Sequence, residues 1–280
     1  MIGKKMDSAY KEESKNPKNL KSTTPRNKEG VGDIQFQLPE DTSMKVVGML
    51  SLSKRNYLGV IHQLCTDDQT FRTAEISTQL SVQKPSATEV LSEFVKWGLI
   101  SKQGWGEWCV TNTGRAVCGI IATRRAFLHR FLDKVLQQPR NMWEKNGKLL
   151  EAALDAFTIA GFADLYVAKE IESSKNAEGS TKSFKKKATA TQKKDTTQRL
   201  RVRSMVALEI GETGSVYRMQ KGFVSSPFVA ARGFLPKTQI IWLGSAYNGG
   251  GHHNSFNVEI AGTTFSLEKT LAERLEVTTN

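Results

Sequence analysis

The sequence predicts a mixed α+β protein, with a helical module that ends in a β-hairpin, then a helical region, then a small β-barrel. Apolar residues recur at helical spacing in three short segments, and two short extended runs around glycines follow them. Two longer amphipathic stretches come next, and the last part of the chain has short alternating runs with frequent glycine. A chain of 280 residues is long enough for two compact domains joined by linkers.

The first 45 residues are polar, rich in lysine, asparagine and serine, and have little hydrophobic periodicity. Such a segment cannot bury enough apolar surface to offset the entropy lost on ordering, so we expect residues 1–45 to be a disordered tail. A basic arm that contacts DNA phosphates is the alternative, which the interspersed Asp7, Glu12, Glu13 and Glu29 disfavour.

Composition and charge indicate a cytoplasmic protein with a polyanionic partner. The formal net charge is +12, and much of the excess lies between residues 175 and 203; such a balance favours nucleic acid or an acidic membrane surface. Three cysteines without a Cys-x-x-Cys pair fit a reducing compartment. The N-terminus lacks the apolar core of a signal peptide, and no apolar run approaches the about 18 residues that span a bilayer, so we expect no membrane partner.

Residues 46–112 contain three helical segments followed by a hairpin. A short second helix begins near Thr73 and the third opens around Pro85, each with its apolar residues on one face. Two extended runs, residues 99–102 and 107–111, then flank a glycine-containing turn. This is the order of a winged helix-turn-helix, in which the third helix lies in the DNA major groove and the hairpin is the wing.

The exposed side of the third helix and the wing are the predicted DNA contacts. Groove readout needs small polar, amide or charged groups near the start of the recognition helix, and phosphate contacts need lysine or arginine. Both kinds of group are present, with five residues at the helix start, one further along and one on the wing: Lys84, Pro85, Ser86, Thr88, Glu89, Lys96 and Lys102. A solvated surface is the alternative, which we favour for Glu89 alone, whereas DNA contact is favoured for Lys84, Ser86 and Thr88 as a group.

Residues 113–172 predict a helical region that forms a dimer interface. Thr113 is placed to cap a long helix that Pro139 ends, and another amphipathic helix follows. The apolar stripes of these helices, over residues 113–138 and 146–168, exceed what one small winged helix needs.

The rest of the chain divides into a linker and a second domain. Residues 173–203 are lysine, serine, threonine and alanine with few large apolar residues, and predict a basic flexible linker. Short alternating runs over residues 204–280 predict a small all-β module.

Six segments of the chain carry a family resemblance. Residues 53–138 include NYLGVIHQL, TAEISTQLSVQKPSATEVLSEFVKWGLI and VTNTGRAV, and they resemble the N-terminal half of the diphtheria-toxin-repressor family of iron- and manganese-dependent transcription regulators. LEIGETGSVYRM, ARGFLPKTQIIWLGSA and FNVEIAGTTFSLEKTLAERLEV resemble that family's SH3-like barrel, which is similar to ferrous-iron transport protein A. The resemblance implies a homodimer that binds palindromic operator DNA through its winged helices.

The resemblance also implies a metal switch, because members of that family sense Fe(II) or Mn(II) through ligands on three helices. Such ions need several oxygen, nitrogen or sulfur donors that converge on one point. The positions that the resemblance assigns to ligands hold other residues here: Asn56 and Gly59 in the first helix, Ala126 and Arg130 in the long helix, and Gly147, Leu150 and Glu151 in the dimerisation helix. We therefore expect the usual metal switch to be absent.

Three histidines are weaker candidates for a metal site. His252 and His253 lie in the glycine-rich segment NGGGHHNS, and two adjacent histidines without further ligands make a poor site. His129 has only Asp133 as a neighbouring carboxylate on its helix, so we expect it to be a surface or interface residue.

The sequence predicts a regulator of transcription and not an enzyme. It contains no H-E-x-x-H motif, no recognisable Ser-His-Asp arrangement and no paired carboxylates in a cleft motif. Two alternatives to a sequence-specific regulator stay open. One is a non-specific nucleoid or accessory DNA-binding protein; the other is a protein-interaction adaptor that uses the barrel and the wing tryptophans Trp97, Trp105 and Trp108.

Overall fold

The helices and strands follow one another along the chain as a winged helix, a helical region and a β-sheet module. The computed structural model describes residues 40–65, 70–184, 201–246 and 255–279. The helices are α1 (Glu40–Met49), α2 (Leu52–Leu64), α3 (Thr73–Leu80), α4 (Lys84–Lys96), α5 (Asn112–Lys134), α6 (Arg140–Ala153), α7 (Ala156–Phe184), α8 (Pro227–Ala231) and α9 (Lys269–Arg274). The strands are β1 (Phe71–Arg72), β2 (Ile100–Gln103), β3 (Glu107–Val110), β4 (Arg201–Ser204), β5 (Thr213–Met219), β6 (Gln239–Ala246), β7 (Ser255–Ile260), β8 (Thr263–Glu268) and β9 (Leu275–Thr279).

The predicted winged helix is confirmed, from α2 to β3. Strands β2 and β3 pair antiparallel as the expected hairpin, and α2, α3 and α4 pack around a core of fully buried side chains that includes Leu58, Ile61, Ile76, Leu91 and Phe94. Strand β1 was not predicted, because two residues carry no alternation. It pairs with the free edge of β3 and completes a three-stranded sheet of order β1-β3-β2.

The turn between α3 and α4 sets the angle at which α4 is presented. Ser81 has a φ of 54°, and its backbone N–H donates to the carbonyl oxygens of Ser77 and Thr78. Pro85 lies in the first turn of α4, as predicted, where a missing N–H costs no helical hydrogen bond. The left-handed residue ends α3 and lets α4 begin three residues later.

Helix α5 is capped by Thr111, so the expectation that Thr113 caps it is wrong. The hydroxyl oxygen of Thr111 accepts from the N–H of Gly114 at 3.0 Å, and the hydroxyl donates to the carbonyl oxygen of Gly98 at 2.6 Å. Thr113 lies inside the first turn. One side chain therefore joins the start of α5 to the segment that leads into the wing.

The expectation of a disordered tail over residues 1–45 is wrong for residues 40–45, because α1 begins at Glu40. Val47 and Leu50 are buried against the following helices. These two apolar residues are too few to give a helical periodicity in the sequence, so the helix was missed. Residues 1–39 lie outside the described residues.

The helix predicted over residues 146–168 is two helices, α6 and α7. The break lies at Asp155, whose carboxylate accepts the N–H of Thr158 at 2.7 Å and so caps the start of α7. The break therefore depends on a local capping bond, which the continuous apolar pattern across it concealed.

Helix α7 continues to Phe184, so the first part of the segment predicted as a linker, residues 173–184, is helical. Residues 185–200 lie outside the described residues, and β4 begins at Arg201. In the described part of the chain, no helix is both long and apolar enough to cross a membrane.

The C-terminal module is a six-stranded antiparallel sheet of order β4-β9-β5-β6-β7-β8, in agreement with the predicted SH3-like barrel. Register shifts between β5 and β9 and between β6 and β7 bend the sheet. Several polar contacts join it to the helices. The Asp164 carboxylate accepts the N–H groups of Phe223 and Val224 at 2.6 and 3.0 Å, and Arg130 donates to the carbonyl oxygen of Pro236 at 3.0 Å.

Gly114 marks a close approach between α5 and the segment that leads into the wing. A Cβ at this position would clash with the Leu99 carbonyl group and lie 2.8 Å from a methyl group of Val110, so the backbone would have to move. We expect Gly114→Ala to lower the free energy of unfolding by about 3 kcal/mol, measured by urea denaturation. Gly104→Ala is the control, since a Cβ there meets nothing within 4 Å, and equal stability of the two variants would contradict the close approach.

Candidate nucleic-acid interface

The outer side of α4 carries the residues predicted to contact DNA. Helix α4 buries Ala87, Leu91 and Phe94 in the core. The side chains that we call the α4 surface are all exposed: Lys84, Pro85, Ser86, Thr88, Glu89, Ser92 and Lys96. Ser92 was not predicted, although its position one helical turn after Thr88 places it on the same side of the helix.

Two hydroxyl groups of the α4 surface donate their hydrogens back to the helix. Thr88 donates to the carbonyl oxygen of Lys84 at 2.9 Å, and Ser92 donates to that of Thr88 at 2.7 Å. Each oxygen therefore keeps its lone pairs for an outside partner. Amino groups of cytosine and adenine are donors of the required kind in the major groove.

Three exposed lysines around α4 and the wing are available for phosphate. Lys54 pairs with Glu93 at 2.5 Å, and Arg72 pairs with Glu107 at 2.8 Å. No ion-pair partner occurs among the described residues for the other three cations of the winged helix surface: Lys84, Lys96 and Lys102. No side chain caps the start of α4, and the positive end of a helix adds to the attraction for phosphate.

The wing tryptophans do not form one exposed aromatic surface. Trp108 is buried, and its indole N–H donates to the Thr73 hydroxyl at 3.0 Å. Trp97 is half-buried, and the Lys54 ammonium lies 4.7 Å from the centre of its ring. The side chain of Trp105 lies outside the described residues. Trp97 and Trp108, two of the three tryptophans that an adaptor surface would need, therefore pack against other residues of this chain.

Behind the winged helix, some of the positions that the resemblance assigns to metal ligands meet around Arg125. Its guanidinium donates to the Asn56 side-chain oxygen at 3.3 Å, and its Nε lies 3.5 Å from Oε2 of Glu151. A Cβ at Gly59 would be 2.8 Å from one guanidinium nitrogen. A Cβ at Gly147 would overlap the ring of His129, so both glycines leave room for side chains of α5.

The remaining positions assigned by the resemblance lie elsewhere. Ala126 is exposed, and Arg130 donates to the barrel carbonyl of Pro236. Leu150 is half-buried. Positive guanidinium groups next to Glu151 do not fit a divalent cation, because like charges repel. No group of three or more His, Cys, Asp or Glu side chains within the described ranges is placed to hold a metal ion, and His252 and His253 lie outside those ranges.

Burial changes the pKa values of three side chains of α5: Arg124, Arg125 and His129. It lowers the pKa of the Arg124 and Arg125 guanidiniums, and the nearby Glu151 carboxylate opposes that shift. Arginine keeps its proton at neutral pH even so. Burial also lowers the pKa of His129, which favours the neutral imidazole.

Two of the three cysteines, Cys65 and Cys118, lack the environment of a nucleophile. Burial raises the pKa of the Cys118 thiol to about 12 and that of the Cys65 thiol to about 11. A reactive cysteine needs a lowered pKa, because the thiolate is the nucleophile. Both thiols are therefore protonated at neutral pH.

Several solved structures are similar to this chain, all at low sequence identity. A manganese-dependent transcriptional repressor in complex with manganese is 16% identical, with a TM-score of 0.35, over 81% of this chain and 100% of that chain. IdeR of T. acidophilum is 13% identical, with a TM-score of 0.35, over 83% of this chain and 100% of that chain. The manganese regulator SloR is 14% identical, with a TM-score of 0.34, over 81% of this chain and 98% of that chain.

These solved structures are transcriptional regulators, the class of protein that the sequence resembles. No family model and no curated protein matches the chain.

Proposed function

We propose that this chain is a homodimeric, sequence-specific DNA-binding regulator of transcription. The α4 surface is the observation that carries the proposal. Its polar and cationic side chains are exposed on the third helix of a winged helix. Lys84 and Lys96 have no ion-pair partner among the described residues. That helix enters the major groove in proteins of this architecture.

The roles of the α4 surface residues follow from their chemistry. Ser86, Thr88 and Ser92 offer hydroxyl groups to base edges, and Glu89 can accept from the amino group of cytosine. Three lysines supply phosphate contacts at both ends of α4 and on the wing: Lys84, Lys96 and Lys102. The lysine-rich sequence between residues 175 and 203 adds attraction for DNA that depends on salt but not on base sequence.

The dimer interface that we propose uses α7 rather than α5. The apolar residues of α5, from Val117 to Leu132, are buried within the chain. The outer side of α7 exposes Phe157 and Leu165, with Gly161 between them and the exposed Val224 of the barrel beside Gly161. We call Phe157, Gly161, Leu165 and Val224 the α7 apolar face. A second copy of the chain would bury this face, because a two-fold axis pairs the same surface on both subunits.

A non-specific DNA-binding accessory protein is the second candidate, and the net charge of +12 favours it. Comparison of binding to DNA from the chain's own upstream region and to random duplex separates the two functions. Equal affinity for both duplexes supports the accessory protein. The adaptor alternative has less support, because Trp97 and Trp108 are packed rather than freely exposed.

Charge reversal on the α4 surface tests DNA binding. We expect Lys84→Glu with Lys96→Glu to weaken binding at least about tenfold and to reduce the slope of log affinity against log salt by about two, because each phosphate contact contributes about 0.9. Fluorescence anisotropy over a range of salt concentrations measures both effects. Lys269→Glu is the control on α9 of the barrel, where Lys269 lies 3.8 Å from Glu273. Equal effects of the two sets of changes would contradict the assigned interface.

The proposed regulator binds DNA without a metal ion, although the resemblance suggests Fe(II) or Mn(II). We expect the affinity for operator DNA to be the same, within about twofold, with EDTA, with Mn(II) and with anaerobic Fe(II), because the site around Glu151 is occupied by arginines. Anisotropy titrations under the three conditions measure this. Binding that appears only with a metal ion would contradict the proposal.

Substitution on the α7 apolar face tests the dimer. Leu165→Glu places a charge in the proposed interface, and we expect it to convert the dimer to a monomer in sedimentation velocity experiments at micromolar concentration. Ile210→Glu is the control, because Ile210 is an apolar residue of the barrel that is even more exposed than Leu165. A monomeric wild-type chain, or a dimeric Leu165→Glu variant, would exclude this interface.

A further inference from the structure

The carboxylate of Glu151 in α6 is fully buried and lies between two arginines from other helices. Its Oε1 accepts from Arg55 of α2 at 2.6 Å, and its Oε2 lies 3.5 Å from Nε of Arg125 in α5. Arg55 and Glu151 have side-chain exposures of 5% and 0%. Buried ions of this kind need partners with good geometry, so α2, α5 and α6 are held in one arrangement.

Arg55 also joins α1 to this arrangement. Its Nε donates to the carbonyl oxygen of Leu50 at 3.0 Å, and its other nitrogens donate to the carbonyl oxygens of Val47 and Glu151, both at 2.8 Å. These carbonyls lie at or near the C-terminal ends of α1 and α6, where the helix dipole is negative. Arg124 does the same at the end of α6, donating to the carbonyl oxygen of Leu154 at 3.0 Å.

We call Arg55, Arg124, Arg125 and Glu151 the interhelix cluster. Its three positive charges are offset by one carboxylate and by helix-end carbonyl oxygens. The small residue Gly59 makes room for Arg125, because a Cβ there would lie 2.8 Å from its guanidinium. Helix α2 therefore accommodates Arg125 in two ways: Asn56 accepts its hydrogen bond, and Gly59 leaves space for its guanidinium.

The interhelix cluster joins the DNA-reading part of the chain to the part that dimerises. Helix α2 supplies Leu58 and Ile61 to the core of the winged helix. Two residues separate α6 from α7, and α7 carries the proposed dimer interface. The orientation of α2 relative to α6 therefore fixes how far apart, and at what angle, the two copies of α4 stand in a dimer.

We propose that Arg55, Arg125 and Glu151 are positioning residues that hold the two winged helices of the dimer at the spacing of a two-half-site operator, without any bound effector. The inference rests on the proposed function, since it concerns the regulation of the same α4 surface. The buried arginines fix the helix packing that a bound effector would otherwise fix, so the spacing of the winged helices is a property of the fold itself. Half-sites of a palindromic operator are read together only at a fixed separation.

Glu151→Gln tests the inference, because it removes the charge and nearly keeps the shape. We expect affinity for the two-half-site operator to fall on the order of 100-fold, since avidity is lost when both half-sites cannot be engaged together. Affinity for a duplex with one half-site should stay unchanged within about twofold, because the winged helix itself is intact. Glu144→Gln is the matched control on α6, where Glu144 is exposed and pairs only with Lys148 among the described residues.

Hydrogen exchange gives a second measurement that does not involve DNA. In Glu151→Gln we expect faster exchange of amides in α1 and in the last turn of α6, with the barrel strands unchanged. Arg125→Lys is the second variant, for use if Glu151→Gln does not fold. It keeps the positive charge but loses the planar guanidinium that donates to Asn56 and lies 3.5 Å from Glu151. The same selective loss is expected.

The outcomes separate the inference from the proposed function. A wild-type chain that binds no duplex overturns the proposed function, and the inference with it. A wild-type chain that binds while Glu151→Gln and Arg125→Lys bind the full operator equally well overturns the inference alone. Equal loss on the one-half-site and two-half-site duplexes also overturns it, because the effect then lies within the winged helix and not in its spacing.

Discussion

A carboxylate with no exposure to solvent constrains how the helices of this chain are arranged. Glu151 is tolerated in the interior because Arg55 and Arg125 approach it from two other helices, and an unpaired buried charge would be strongly destabilising. Apolar side chains of similar size would give comparable stability in many arrangements, whereas ions accept few. The cluster therefore contributes above all to the choice of one packing for α1, α2, α5 and α6.

That packing determines what α4 presents. The winged helix buries Ala87, Leu91 and Phe94, so the polar residues of α4 can only point outward. The chain's positive charge is not concentrated on α4, where Glu89 lies among the exposed residues, and two of the nearby cations are already paired with carboxylates. In the regulator that we propose, base contacts and the spacing of two winged helices therefore have a larger share in specificity than charge, which attracts any DNA.

The barrel is fixed to the helices by contacts from both α5 and α7. Asp164 binds the turn after β5 with both carboxylate oxygens, and Arg130 of α5 reaches the carbonyl of Pro236. Gly233 also lies against Thr123 of α5, at a distance that only glycine permits. Winged helix, helical region and barrel consequently belong to one compact unit.

The sequence by itself determined the features that depend on neighbours along the chain. Helical periodicity placed α2, α3 and α4 and the exposed residues from Lys84 to Lys96, because burial on one face of a helix follows a local repeat. The break at Asp155 and the two-residue β1 escaped it, since the first depends on a single capping bond and the second on pairing with a distant strand. The partners of Glu151, in contrast, follow from the tertiary fold alone. In the sequence it is a carboxylate where the resemblance implies a different metal ligand, whereas its partner Arg55 lies 96 positions away, and no local pattern links residues that far apart.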